Sequence, residues 1–112
     1  MSECLFCGMA EKKVPAQVVY EDETAFAIKD IHPQAPTHIL VISRKHLGSL
    51  SACQDADVEL LGRMQLIAAK VAAQLGASSF RVVTNNGRGA GQSVDHLHYH
   101  LLGGRPMQWP PG

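Results

Sequence analysis

Between Asp95 and Leu102 histidine occupies positions 96, 98 and 100, so three of the chain's six histidines alternate with Leu97, Tyr99 and Leu101. Alternation is the period of a β-strand: His96, His98 and His100 project to one face, and Leu97, Tyr99 and Leu101 to the other. At about 3.3 Å rise per residue the outer two rings stand roughly 13 Å apart, too far to share one metal ion or one proton. Each ring therefore has its own task. The central one, His98, can act as a nucleophile or base once a neighbour fixes its tautomer. One histidine on a polar strand face is ordinary. Three in strict alternation, opposite an apolar face and just after a glycine-rich loop bearing Ser93, point to chemistry.

Two further stretches carry reactive or ligand-binding residue types. Asn85-Asn86-Gly87-Arg88-Gly89-Ala90-Gly91 would let backbone N-H groups approach a phosphate as a nest; taken alone it reads more readily as a plain turn, and its place beside the histidine row brings the two readings level. Cys4-Leu5-Phe6-Cys7 is a Cys-x-x-Cys, a spacing that suits two thiolates on one metal; a redox role is poorer, because no strand-helix-strand unit surrounds it. Cys53 reads as an ordinary small residue. Taken alone, Asp30 is a turn-capping carboxylate, and Ser93 and Asn85 are loop residues that bond their own backbone.

The elements that must position these residues follow from pattern and composition. A chain of 112 residues with 46% hydrophobic content is expected to form one domain, residues 1–112, whose modest core favours dimerisation. Ten basic and ten acidic residues cancel without forming a run, which argues against nucleic-acid or membrane binding. The start shows no signal-peptide pattern and no stretch approaches membrane-spanning length, so the expectation is a cytoplasmic protein whose odd number of cysteines are thiols or metal ligands. Cys4 to Lys13 suits a short helix stopped before Pro15. Val18-Tyr20 and Thr24-Ile28 read as a hairpin turning at Glu21-Glu23, Asp30-Pro36 as a loop, and His38-Ile42 as a central strand. Arg44 to Leu50 is a helical turn or a loop. From Asp55 to Leu75 the apolar residues 58, 61, 64, 68, 71 and 75 keep helical period, and Gly76 stops the helix. Phe80-Thr84 and the histidine strand complete five. Strands grouped around one long and one short helix with hairpin-length links predict an α+β domain with a mostly antiparallel sheet, and disfavour a doubly wound nucleotide fold.

The row His96-Leu97-His98-Tyr99-His100-Leu101-Leu102, together with Asp30-Ile31-His32-Pro33-Gln34-Ala35-Pro36-Thr37-His38, Gly91-Gln92-Ser93-Val94, Gly103-Gly104-Arg105 and Trp109-Pro110-Pro111-Gly112, resembles the histidine triad family, specifically its Hint branch of nucleotide-binding proteins. The resemblance spans nearly the whole chain. It implies a small α+β unit whose five-stranded sheet continues across a homodimer, and hydrolysis of purine nucleoside phosphoramidates to monophosphates. His100 implies the same, since a related transferase branch carries glutamine there. By resemblance His98 is the nucleophile, His100 a donor on the phosphate side, Ser93 a donor to the leaving nitrogen or phosphoryl oxygens, and His38 a relay or orienting ring behind the triad. Asp30 corresponds to a ribose ligand, Ile31 to a wall for the base, and Asn85 to a second polar contact. Gly91 lines the phosphate, and Trp109, on the tail 103–112, corresponds to a residue that reaches the partner's active site and borders the leaving group.

The N-terminus departs from the metal-free members of that branch, whose matching positions lack cysteines. Cys4 and Cys7, with His46 and His96, would complete a tetrahedral structural zinc site of the kind some relatives hold; free buried thiols are the competing reading. Zinc on His96 would make the first ring of the row structural, in keeping with the separation of the three rings. Two other functional classes compete. One is a metal-dependent enzyme with His96 and His98 on a catalytic ion, disfavoured because the only carboxylate after Glu59, Asp95, faces away. The other is a non-catalytic purine nucleotide sensor or scaffold, which the same pocket residues would serve.

Overall fold

The structure is a computed structural model that describes residues 4–112; Met1 to Glu3, where the reading of the chain's start partly rests, lie outside the described residues. A short helix α1 (Leu5–Ala10) leads into strands β1 (Val18–Glu21), β2 (Ala25–Lys29) and β3 (Thr37–Ser43). The long helix α2 (Val58–Gln74) follows, then β4 (Phe80–Val83) and β5 (His98–Gly103). The strands form one antiparallel sheet in the order β1-β2-β3-β5-β4. The expected architecture of five strands, one long helix and one short one is the one observed.

The hairpin β1-β2 is set by Asp22, whose Oδ1 accepts the N-H groups of Thr24 and Ala25 at 2.8 and 3.0 Å. The apolar run Ile39–Ile42 puts β3 in the middle of the sheet, paired on both edges and buried on both faces. One face carries Ala25, Ala27, Ile39, Val41, Tyr99 and Leu101 against Met64, Ile67, Ala68, Val71 and Ala72 of α2. Each large aliphatic side chain sealed there contributes roughly 1.5–3 kcal/mol. The other face carries Phe26, Ile28, Leu40 and Ile42 beneath Phe6 of α1, and beside them the histidines. Among the described residues no helix is long and apolar enough to cross a membrane.

Local details depart from the sequence reading. The last strand begins at His98 and not at His96: residues 94–96 bend, with His96 N-H donating to the Val94 carbonyl at 2.9 Å, and Leu97 bonds to the 43–47 segment, its N-H donating to the Leu47 carbonyl at 2.7 Å, instead of to β4. α1 ends at Ala10, where Glu11 to Val14 wrap back to carbonyls of the helix. Of the two forms open to Arg44 to Leu50, the loop is the one observed, with a helical turn following at Leu50–Ala52. Val58, counted on the apolar face of the long helix, is exposed at its first turn, while Ile67 and Ala72, which the count omitted, are buried. Gly76 stops the helix with φ +77°, as its type requires.

Candidate functional site: a chain of imidazoles beside a sulfur and nitrogen cluster

The register between β3 and β5 sets His98 opposite Ile42, His100 opposite Leu40 and Leu102 opposite His38. Side chains of these pairs share a face. His38, His98 and His100 therefore converge, with ring centroids 5.1 Å apart for His98 and His100 and 5.2 Å for His38 and His100.

Their hydrogen-bond partners fix which nitrogen of each ring carries the proton. His98 Nδ1 lies 2.6 Å from the His96 carbonyl, which can only accept, so Nδ1 is the donor and Nε2 keeps its lone pair. His38 Nδ1 accepts the Gln34 N-H at 2.9 Å, which puts the proton of the neutral ring on Nε2. That Nε2 faces His100 Nδ1 at 2.9 Å and Asp30 Oδ2 at 3.3 Å. His100 Nδ1 is thus an acceptor, and its N-H points outward from Nε2. Burial pushes the pKa of His38 and His98 down, and takes that of His100 down to about 4 with help from His98 and His38. At neutral pH these three rings are uncharged, and among the described residues nothing occupies the lone pair of His98 Nε2 or the N-H of His100 Nε2.

His96 belongs to a second cluster. It is fully buried, its Nε2 donates to the Ser43 carbonyl at 2.6 Å, and its Nδ1 faces Cys4 Sγ at 3.2 Å, Cys7 Sγ at 3.6 Å and His46 Nδ1 at 3.1 Å. Cys7 Sγ lies 3.3 Å from His46 Nδ1. Zinc with sulfur at about 2.3 Å and nitrogen at about 2.0–2.1 Å keeps tetrahedral donors roughly 3.3–3.8 Å apart, so these four fit it. The Ser43 carbonyl fixes the His96 tautomer that such an ion requires.

Asp30 sits beside the imidazole chain, with Oδ1 accepting the His32 N-H at 2.7 Å, so it caps the turn and faces His38 at once. A carboxylate therefore does stand next to the histidines, supplied from upstream, while Asp95 pairs with Arg88 at 2.9 Å. Ile31 is exposed beside Asp30. Asn85 lies against Gly91, whose φ of +98° only glycine adopts without strain, and the loop between them contains a single helical turn at Arg88–Ala90. Ser93 is exposed and lines a groove with Cys4, Leu5, His46, Val94 and Asp95. Trp109 is exposed on the tail, which Arg81 and Arg105 tie down by donating to the Gln108 and Gln34 carbonyls.

Three contributors escaped the sequence reading. Gln92 is buried and braces the glycine-rich loop, accepting from Gly87 N-H and donating to the Gly48 and Val94 carbonyls. Ser43 orients His96, and Phe6 sets its ring edge-on to His96 and His98, with centroids at 5.8 and 5.1 Å. Gln92 lies within a quoted motif, but a backbone carbonyl and a ring contact leave no pattern in sequence.

The HIT domain family model matches residues 11–107. The chain is 50% identical over 111 residues to an uncharacterised HIT-like protein of Synechocystis, covering 98% of this chain and 97% of that one. It is 46% identical to a 14 kDa zinc-binding protein of Zea mays, covering 99% and 89%. The crystal structure of a HIT family hydrolase from Legionella pneumophila superposes with a TM-score of 0.96 at 48% identity, covering 98% and 100%. With His98 and His100 on β5, His96 just before it, and the match extending over almost all of its length, the chain belongs to the HIT domain family.

Proposed function

We propose that this protein is a purine nucleoside phosphoramidate hydrolase of the Hint branch, working through a nucleotidyl-imidazole intermediate on His98. The observation that carries the reading is the 2.6 Å bond from His98 Nδ1 to the His96 carbonyl, which leaves a neutral ring with its Nε2 lone pair free. In the first step Nε2 attacks the α-phosphorus, a P-N bond forms to the ring, and the P-N bond to the amine breaks. The amine departs with a proton from solvent, delivered directly or relayed through the Ser93 hydroxyl, which regains from water the proton it passes on. Water then attacks phosphorus, the ring leaves as imidazole, and the nucleoside monophosphate is released.

His100 Nε2-H hydrogen-bonds a phosphoryl oxygen, and His38 holds His100 in the tautomer that makes this N-H available. Asp30 accepts from the ribose hydroxyls, Ile31 walls the base, and Asn85 and the Gly91 backbone border the phosphate. The active unit is a homodimer whose sheet continues across β4, where Phe80 and Val82 are exposed, and whose partner tail lends Trp109 to the site. Cys4, Cys7, His46 and His96 hold zinc, which supplies a structural crosslink and takes no part in bond making. The name of the Zea mays relative supports that assignment.

The test is His98→Ala, assayed with an adenosine phosphoramidate and, separately, for binding of adenosine monophosphate. Turnover should fall by about three orders of magnitude or more while affinity for the monophosphate stays. Turnover within tenfold of the unaltered protein removes His98 as the nucleophile. Monophosphate binding with no turnover by the unaltered protein would make it a nucleotide sensor instead.

A further inference from the structure

We propose that the Cys-x-x-Cys clip is a positioning device for His98, acting through two arms: the ring of Phe6 and the backbone carbonyl of His96. The inference rests on the reading of His98 as the nucleophile, and goes beyond a purely structural zinc.

The first arm runs through α1. A helix of six residues cannot hold itself, since nucleation alone is unfavourable at that length. Cys4 and Cys7 bracket Phe6, and their sulfurs face His96 and His46, which arrive from segments 89 and 39 residues away from Cys7. Closing that clip pins α1 to the sheet. Phe6 is then 3% exposed, and its ring stands at 80° to the His98 ring and 78° to the His96 ring. It limits how far the His98 ring can swing about its side-chain bonds.

The second arm is His96 itself. Its Nδ1 faces the clip, its Nε2-H is fixed on the Ser43 carbonyl, and its own carbonyl takes the proton of His98 Nδ1. No free torsion separates the clip from the bond that sets the nucleophile's tautomer except those of one fully buried residue. Opening the clip releases both arms at once. A nucleophile has to be held within roughly 0.5 Å of its productive position, and a misplacement of about 1 Å can cost a hundredfold in rate. Phe6 and His96 are thus positioning residues, and neither touches the reacting atoms.

The experiment compares the full-length zinc-loaded protein, the same protein stripped by chelator and dialysed, and two zinc-loaded variants, Phe6→Leu and Phe6→Ala. The primary reading is made without substrate: nitrogen-15 NMR of the His98 ring, which reports whether Nδ1-H is the single tautomer and how fast its proton exchanges. Kinetics with an adenosine phosphoramidate supply the second.

Zinc removal should broaden or split the His98 signals and speed exchange of its Nδ1 proton. Phe6→Leu, which keeps the four ligands and most of the apolar volume, should hold its zinc and lower kcat about tenfold with KM within about twofold, and Phe6→Ala should lower kcat further. His98 signals that are identical with and without zinc and in Phe6→Leu would overturn the proposal. So would a Phe6→Leu protein that changes KM alone, which would make Phe6 part of a binding surface. If circular dichroism shows that the stripped protein has unfolded, the two Phe6 variants decide. An unaltered protein that turns over no phosphoramidate would defeat the proposed activity, while the NMR comparison would still decide the role of the clip.

Discussion

On the proposed mechanism His38 joins stability to chemistry, and a pair of substitutions separates the two. The ring is almost fully buried and makes two directional bonds: Nδ1 accepts the Gln34 N-H, and Nε2-H serves His100 Nδ1, with Asp30 alongside. In His38→Leu both partners are orphaned. A buried group left without its partner costs about 1–3 kcal/mol, and water reaches the exposed Gln34 loop more easily than His100, so the two together should cost about 2–4 kcal/mol. In His38→Gln the amide oxygen can replace Nδ1 and the amide N-H can replace Nε2-H, so the loss should stay within about 1 kcal/mol. Urea unfolding followed by fluorescence measures both. The same contrast should appear in turnover: without a donor at position 38 nothing holds the His100 proton on Nε2, so His38→Leu should lose kcat by a hundredfold or so while His38→Gln keeps most of it. Equal stability and equal kcat for the two variants would refute the derived tautomer chain.

Metal analysis of protein purified without chelator should find about one zinc per chain; removing it, or substituting Cys4→Ser, should lower the unfolding temperature by several degrees or more, and the absence of zinc with both thiols freely titrating would defeat the site. Truncation after Gly104 should change the relative rates across phosphoramidates with different amines while monophosphate affinity barely moves, and an unchanged ratio of rates would exclude the tail from the site. Stability should fall as pH drops from about 6.5 toward 4, because the unfolded chain's imidazole takes up a proton that buried His100, with its pKa near 4, refuses; above that window its contribution is constant. His100→Gln should flatten part of that slope in urea midpoints taken at several pH values, and an unaltered slope would place the titration elsewhere.

Much of this was legible in the sequence because it is written in periodicity. The unbroken apolar run from Ile39 to Ile42, the alternation of the histidine row and the 3.6-residue spacing of Met64, Ala68 and Val71 marked the central strands and the long helix, while the face that His38 shares with His98 and His100 follows from the register between β3 and β5. The stop of β5 short of His96 was not legible, since it depends on which backbone the segment meets, and that is a tertiary event. The pairing of Asp30 with His38 was similarly hidden: Asp30 read as a turn cap or, by resemblance, a ribose ligand, and only the closing of the 30–36 loop sets it against the imidazole chain. The Cys4 and Cys7 spacing was plain, but their convergence with His46 and His96 came from resemblance and from the fold.

The order β1-β2-β3-β5-β4 also bears on how the chain is made. The strand that completes the middle of the sheet is the last to be synthesised, so β3 emerges with one edge bonded to β2 and the other open. At about 5–20 residues per second, the sixty or so residues between Ser43 and Gly103 correspond to roughly 3–12 s in which a bare apolar edge waits for its partner. Exposed edges of this kind template pairing with other chains. The nascent protein thus passes through an aggregation-prone interval fixed by its strand order, and the same late insertion of β5 means that His98 and His100 join His38 only when the sheet closes.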